Sequence, residues 1–137
     1  AGLARLGWIK RAAELFDYEQ MLPAPGQGAL AIQVRTDDAA AFAAVLTVDH
    51  AVTRAAITAE RAFERRLGGG CHAAIAALGT VLDEERIRVS GLVGDPEGGL
   101  IFRREIDGTI DDPASTGLLL AEELLERGAA ALLEATA

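Results

Sequence analysis

The sequence predicts an α+β domain: a small three-stranded antiparallel sheet with helices over one face, in the order helix, strand, strand, strand, helix. Three observations predict it. An amphipathic helix pattern beginning near Asp49 runs into Gly68-Gly69-Gly70. Three strand-like runs follow, separated only by short polar turns, which imply antiparallel hairpins. Asp112-Pro113 then opens a second helix, a cap followed by proline at the first helical position.

Taken in order, residues 1–16 favour helix, with Gly7 a break point, and Leu22-Pro23-Ala24-Pro25-Gly26-Gln27-Gly28 cannot continue one. Leu30, Ile32 and Val34 alternate with Ala31, Gln33 and Arg35, the period of a strand over 29–35. Asp37 can cap a short alanine-rich helix reaching Leu46. Asp49 can cap the longer one, in which Val52, Ala55, Ala56, Ala59, Phe63 and Leu67 share a face and Arg54, Arg61 and Arg65 lie opposite. These arginines and Arg66 are expected to form a solvated face, partly paired with Glu60 and Glu64, and His50 to be structural.

The glycine run ends that helix, because glycine takes the left-handed C-terminal conformation without strain. The strands are expected over 74–82, 86–93 and 100–106, with turns at Asp83-Glu84-Glu85 and at Gly94 to Gly99. Beyond Pro113, residues Leu118, Leu119, Ala121, Glu122, Leu125 and Ala129 continue the last helix, which Gly128 bends. Residues 36–48 serve as a connecting helix or hinge, and 49–137 as the C-terminal domain.

Composition narrows the function classes. The 137 residues are half apolar, enough for one core and part of another. Thirteen Lys and Arg against twenty-one Asp and Glu leave a net charge of −8, which argues against a general nucleic-acid surface; an anionic substrate requires a local arginine cluster. The single cysteine excludes an internal disulfide framework and leaves a structural thiol, a reactive thiol or an attachment point, in a reducing, cytoplasmic setting. Two separated histidines and one cysteine make no convincing metal set. No segment approaches the roughly 20 apolar residues of a membrane span, so no membrane partner is expected. The chain lacks an initiator Met and opens without a cap on Leu3, Leu6 and Ile9, which suggests a piece of something longer.

Two motifs carry a resemblance. Ala59-Glu60-Arg61-Ala62-Phe63 through Arg66-Leu67-Gly68-Gly69-Gly70-Cys71 resembles the cofactor-attachment segment of porphobilinogen deaminases, also called hydroxymethylbilane synthases. Leu22-Pro23-Ala24-Pro25-Gly26-Gln27-Gly28-Ala29 resembles the same family's Leu-Pro-Ala-x-Gly-Gln-Gly-Ala segment, in suitable spacing. Arg5-Leu6-Gly7 and Leu120-Ala121-Glu122-Glu123-Leu124-Leu125 extend the likeness to both ends, over the C-terminal portion of a family member only.

The resemblance implies a transferase of haem and tetrapyrrole synthesis. In that family a cysteine sulfur holds a dipyrromethane cofactor as a thioether. Porphobilinogen units add to it stepwise with loss of ammonia, and hydrolysis releases hydroxymethylbilane. It implies cofactor attachment at Cys71, flanked by Gly69 and Gly70, and substrate contacts from Arg5 and Gln27 to porphobilinogen and the growing oligopyrrole. Sulfur is a soft nucleophile suited to an electrophilic methylene, and guanidinium binds carboxylates in bidentate fashion.

The resemblance further implies that residues 1–35 are the tail of upstream α/β lobes, including one returning strand. The family's catalytic aspartate lies in the missing N-terminal domains, so no catalytic residue is expected in this chain and the chain alone is expected to be inactive. His72 and Ala73-Ala74 depart from the family's usual Gln-Val-Pro, and His72 receives no role. The competing classes are an RNA-binding module, since double-stranded RNA-binding domains share the α-β-β-β-α order, and a free-standing scaffold or thiol carrier.

Overall fold

The computed structural model describes residues 2–68 and 74–135. Its centre is the predicted α+β unit. Helix α3 (Ala51–Leu67) precedes strands β1 (Ala74–Val81), β2 (Arg86–Gly94) and β3 (Ile101–Thr109), and α4 (Pro113–Leu124) follows. The strands pair antiparallel in the order β1-β2-β3, with Ala77 opposite Gly91 and Val89 opposite Ile106.

Alternation sorts the sheet's faces. Ile87, Val89 and Val93 of β2 are buried, and with Ala77 they meet Phe63, Leu120 and Leu124 of the two helices. Two glycines allow this approach. A Cβ on Gly117 would stand 2.1 Å from the Ala59 carbonyl oxygen, and one on Gly91 2.6 Å from the Phe63 ring. Helix α4 therefore lies on α3 more closely than any larger residue permits.

The other face is polar. Arg88 on β2 grips Asp107 across the ladder, with one nitrogen–oxygen distance of 3.0 Å, and Arg86 pairs with Asp83 at 2.7 Å. The arginine hydrogen bond is the first cause holding each aspartate below its ordinary value of 3.8.

Caps set the helix ends. Asp112 accepts from the Ser115 N–H at 3.2 Å, and the Ser115 hydroxyl, the larger influence, holds its carboxyl low as well. Gly68 closes α3 at φ +67, in the left-handed region. Gly128, at φ +111, sits within a π turn (Leu125–Ala129) before α5 (Ala130–Ala135), the bend expected there.

Two caps fall one residue later than the sequence suggested. His50, not Asp49, caps α3 through its ring nitrogen to the Thr53 N–H, while the Asp49 carboxylate pairs with Arg54 at 3.2 Å. Helix α2 (Ala39–Leu46) is capped by Asp38 rather than Asp37. In each case the helix starts one residue downstream, so the half-in position falls on the neighbour.

Larger corrections concern the N-terminal third. The expected helix over 1–16 is reduced to α1 (Gly2–Arg5) and a 3₁₀ turn at Ile9–Arg11, separated by Gly7 at φ +71. Leu3, Leu6 and Ile9 all remain exposed, and a short helix without a packed face cannot offset its nucleation cost. The expected strand over 29–35 joins no ladder among the described residues, and Leu30 is 97% exposed. Alternation alone makes no strand; backbone groups also need a partner.

Candidate functional site

The loop carrying Gln27 is fastened to the α+β unit along the free edge of β1. The edge offers the N–H groups of Ala77 and Gly79, which share a side because alternate residues of a strand point the same way. Ala77 donates to the Pro23 carbonyl at 3.0 Å, and Gly79 to one carboxylate oxygen of Glu60 at 2.8 Å. The other Glu60 oxygen accepts from the Gly26 N–H at 2.7 Å. Leu22, next to Pro23, is buried.

The turn itself is built by glycine. Gly26 at φ +77 and Gly28 at φ +84 both occupy the left-handed region, and the N–H of Gln27 donates to the Ala24 carbonyl at 3.1 Å. The Gln27 side chain is exposed on the crest. Beside it runs a groove of about 710 Å³, walled by Leu30, Val45, Leu46 and Ile57, with Arg54 and Arg61 along its rim.

A second tether holds the segment before the loop. The Arg103 guanidinium on β3 donates to the carbonyls of Tyr18 and Glu19, the first at 2.8 Å. The stretch between Arg5 and Gln27 is thus tied to the sheet from the polar side.

Cys71, Gly69, Gly70 and His72 lie outside the described residues, as does Ala73. Their flanks are described: α3 ends at Gly68 with a left-handed cap, and β1 begins at Ala74, opposite Gly94. Arg5 ends α1, exposed and without an ion pair among the described residues. No hydrogen bond joins it to Gln27, so these two predicted contacts are not brought together by direct interaction.

Glu60 is the residue that sequence reasoning misplaced. Expected on the solvated arginine face, it is only 4% exposed and bonds backbone amides instead. Arg66 pairs with Glu122 at 2.9 Å, and the Arg65 side chain donates to the Arg61 carbonyl. One signal was available: position 60 falls a helical turn from both Ala56 and Phe63, beside the apolar stripe. A carboxylate there needs donors.

Arg54, Arg66, Arg86, Arg88 and Arg104 each face a carboxylate, so these five offer no free charge to a polyanion. No helix among the described residues is long and apolar enough to cross a membrane.

Comparison with known proteins bears on both motifs. Residues 54–126 match the family model described as "Porphobilinogen deaminase, C-terminal domain", and residues 1–43 match "Porphobilinogen deaminase, dipyromethane cofactor binding domain". Curated relatives named porphobilinogen deaminase include those of Acidothermus cellulolyticus, 47% identical over 139 residues, and Pelotomaculum thermopropionicum, 42% identical over 134. Each match covers 98% of this chain but only 42% and 43% of the respective relative. The chain therefore spans less than half the length of these relatives.

Proposed function

The chain belongs to the porphobilinogen deaminase family, and we propose that it is the C-terminal, cofactor-bearing part of a hydroxymethylbilane synthase. The observation that carries this reading is the pair of family matches, one spanning the Gln27 loop and the other the Cys71 segment. In this reading Cys71 holds a dipyrromethane as a thioether, with Gly69 and Gly70 leaving room around the sulfur. A thioether withstands the reducing cytoplasm, where a disulfide does not. When bound, the cofactor supplies the primer to which porphobilinogen units add with loss of ammonia.

The donor set fits such a group. The chain's only thiol lies between a helix end and a strand start that are both fixed by backbone hydrogen bonds, so the segment has defined ends. Arg5 and Arg61 carry guanidiniums without a carboxylate partner among the described residues, the chemistry that acetate and propionate groups require. Gln27 offers an amide that can both donate and accept. These residues bind and orient; the acid–base group of the reaction belongs to the upstream lobes.

Those lobes are the chain's principal partner in this reading. Residues 1–35 form their tail, in which 29–35 would pair as a returning strand only with those lobes alongside, 36–48 the hinge and 49–137 the attachment domain. Leu3, Leu15, Phe16, Met21, Leu30 and Ile32 are all exposed here, an apolar set that upstream lobes would cover. The chain alone is then inactive.

Intact mass spectrometry tests the reading. The full-length protein is expected to carry a dipyrromethane mass that disappears in Cys71→Ala. An unmodified wild-type protein, or an adduct retained by the variant, would rule the assignment out.

A further inference from the structure

We propose that Glu60 is a positioning residue of this site: its buried carboxylate fixes the Gln27 turn against the two elements that lead into and out of the Cys71 segment. The inference rests on the functional reading above and goes beyond it, because Glu60 touches neither thiol nor substrate in that reading.

One side chain joins three pieces of chain. Glu60 belongs to α3, which ends just before the Cys71 segment; its Oε1 accepts from Gly79 on β1, which begins just after it; its Oε2 accepts from Gly26, next to Gln27. Both donors are backbone amides, so their directions are fixed by the main chain and the bonds report position, not merely proximity. Glycine lets both amides come close. A Cβ on Gly79 would stand 2.8 Å from the Ala56 backbone, so any larger residue would push β1 off α3. Gly26 holds φ +77, a left-handed turn conformation that glycine adopts without strain, at the residue whose N–H meets the carboxylate.

The chemistry of the bridge explains why a carboxylate is needed. Two amides converge on one end group, and only a carboxylate offers an acceptor to each. Glutamine keeps one acceptor and turns an NH₂ toward the other amide, which releases either the loop or the strand. A released Gly26 frees the Gln27 turn while the α3–β1 packing persists through Ala55, Ala59 and Phe63. Loss of a charge-assisted hydrogen bond corresponds to about tenfold in an equilibrium or rate ratio.

The test uses the full-length protein in four forms: wild type, Glu60→Gln, Gln27→Ala and the double variant. Intact mass, kcat and KM for porphobilinogen are measured for each. Glu60→Gln is expected to retain the Cys71 adduct and to lower kcat/KM about tenfold, with the same division between kcat and KM as Gln27→Ala. The double variant is expected to be no worse than Gln27→Ala, because Glu60 acts through the turn. Multiplying losses, or an unchanged kcat/KM in Glu60→Gln, would overturn the proposal.

Should Glu60→Gln fail to fold, Gly26→Ala attacks the same turn from the loop side, and a wild-type kcat/KM there would equally overturn it. Absence of adduct and turnover in the wild-type protein would instead defeat the family reading on which the proposal rests.

Discussion

Substituting alanine for Gly117 tests the contact on which the α3–α4 packing depends. The new Cβ would lie 2.1 Å from the Ala59 carbonyl oxygen and 3.1 Å from the Phe63 nitrogen, both main-chain atoms of α3. A relaxed contact of this kind needs about 3.5 Å, so the helices must part by roughly 1 Å or more. No flexible side chain can yield in their place. Overpacking of a tight core costs about 1–3 kcal/mol, and a backbone neighbour places this site at the upper end. Alanine's better helix propensity returns about 1 kcal/mol at most. The net loss is about 2 kcal/mol, or roughly 10 °C in Tm for a domain of this size. Thermal melts followed by circular dichroism read it directly. Gly2→Ala is the matched control, since a Cβ there meets nothing within 4 Å, and its melt should coincide with wild type. A Gly117→Ala protein as stable as wild type would refute the claim that α3 and α4 touch backbone to backbone at this point.

Two further outcomes follow from the polar contacts. Asp107 and Asp83 titrate below their ordinary value of 3.8 because arginine hydrogen bonds favour the charged form. Each therefore adds stability that is present above that value and lost as pH falls through the depressed one. Asp107→Asn should flatten the acid limb of stability against pH, more so in low salt because the pair is solvent-exposed; superimposable acid limbs would contradict it. Arg103→Ala should release the carbonyls of Tyr18 and Glu19, and hydrogen–deuterium exchange across residues 17–21 is expected to quicken while that of β2 is unchanged. Equal protection of the 17–21 segment in both proteins would show that the tether does not hold it.

The α+β unit was legible because each of its signals is local. The apolar stripe of α3, the Asp112-Pro113 start of α4 and the short polar turns each state one element's type and place. What sequence could not supply was partnership. Residues 29–35 have the alternation of a strand and no ladder, because pairing is decided by what lies alongside. Residues 1–16 have helical composition and only one turn of α-helix, because no surface covers Leu3, Leu6 or Ile9. The site divides along the same line. The Gly-Gln-Gly turn was readable from its glycines, whereas Glu60 resembled one more charge on an arginine-rich helix until its two amide partners, distant in sequence, were brought to it.

That bridge also explains why the loop is fastened through hydrogen bonds and not through an apolar plug. β1 is an edge strand, and its outward N–H groups at Ala77 and Gly79 would invite another strand or remain unsatisfied beneath a covering loop. An apolar side chain at position 60 would bury the Gly79 and Gly26 amides without acceptors, at a cost of about 1–3 kcal/mol for each. The Pro23 carbonyl answers the first edge amide and Glu60 the second, so the edge is closed by the same contacts that place the Gln27 turn. Protection of the edge and placement of the turn therefore share one side chain. Glu60→Ala removes both of its bonds, so hydrogen–deuterium exchange across residues 22–28 is expected to quicken together with a rise in apparent mass by light scattering as the β1 edge is bared; faster exchange without association would contradict it.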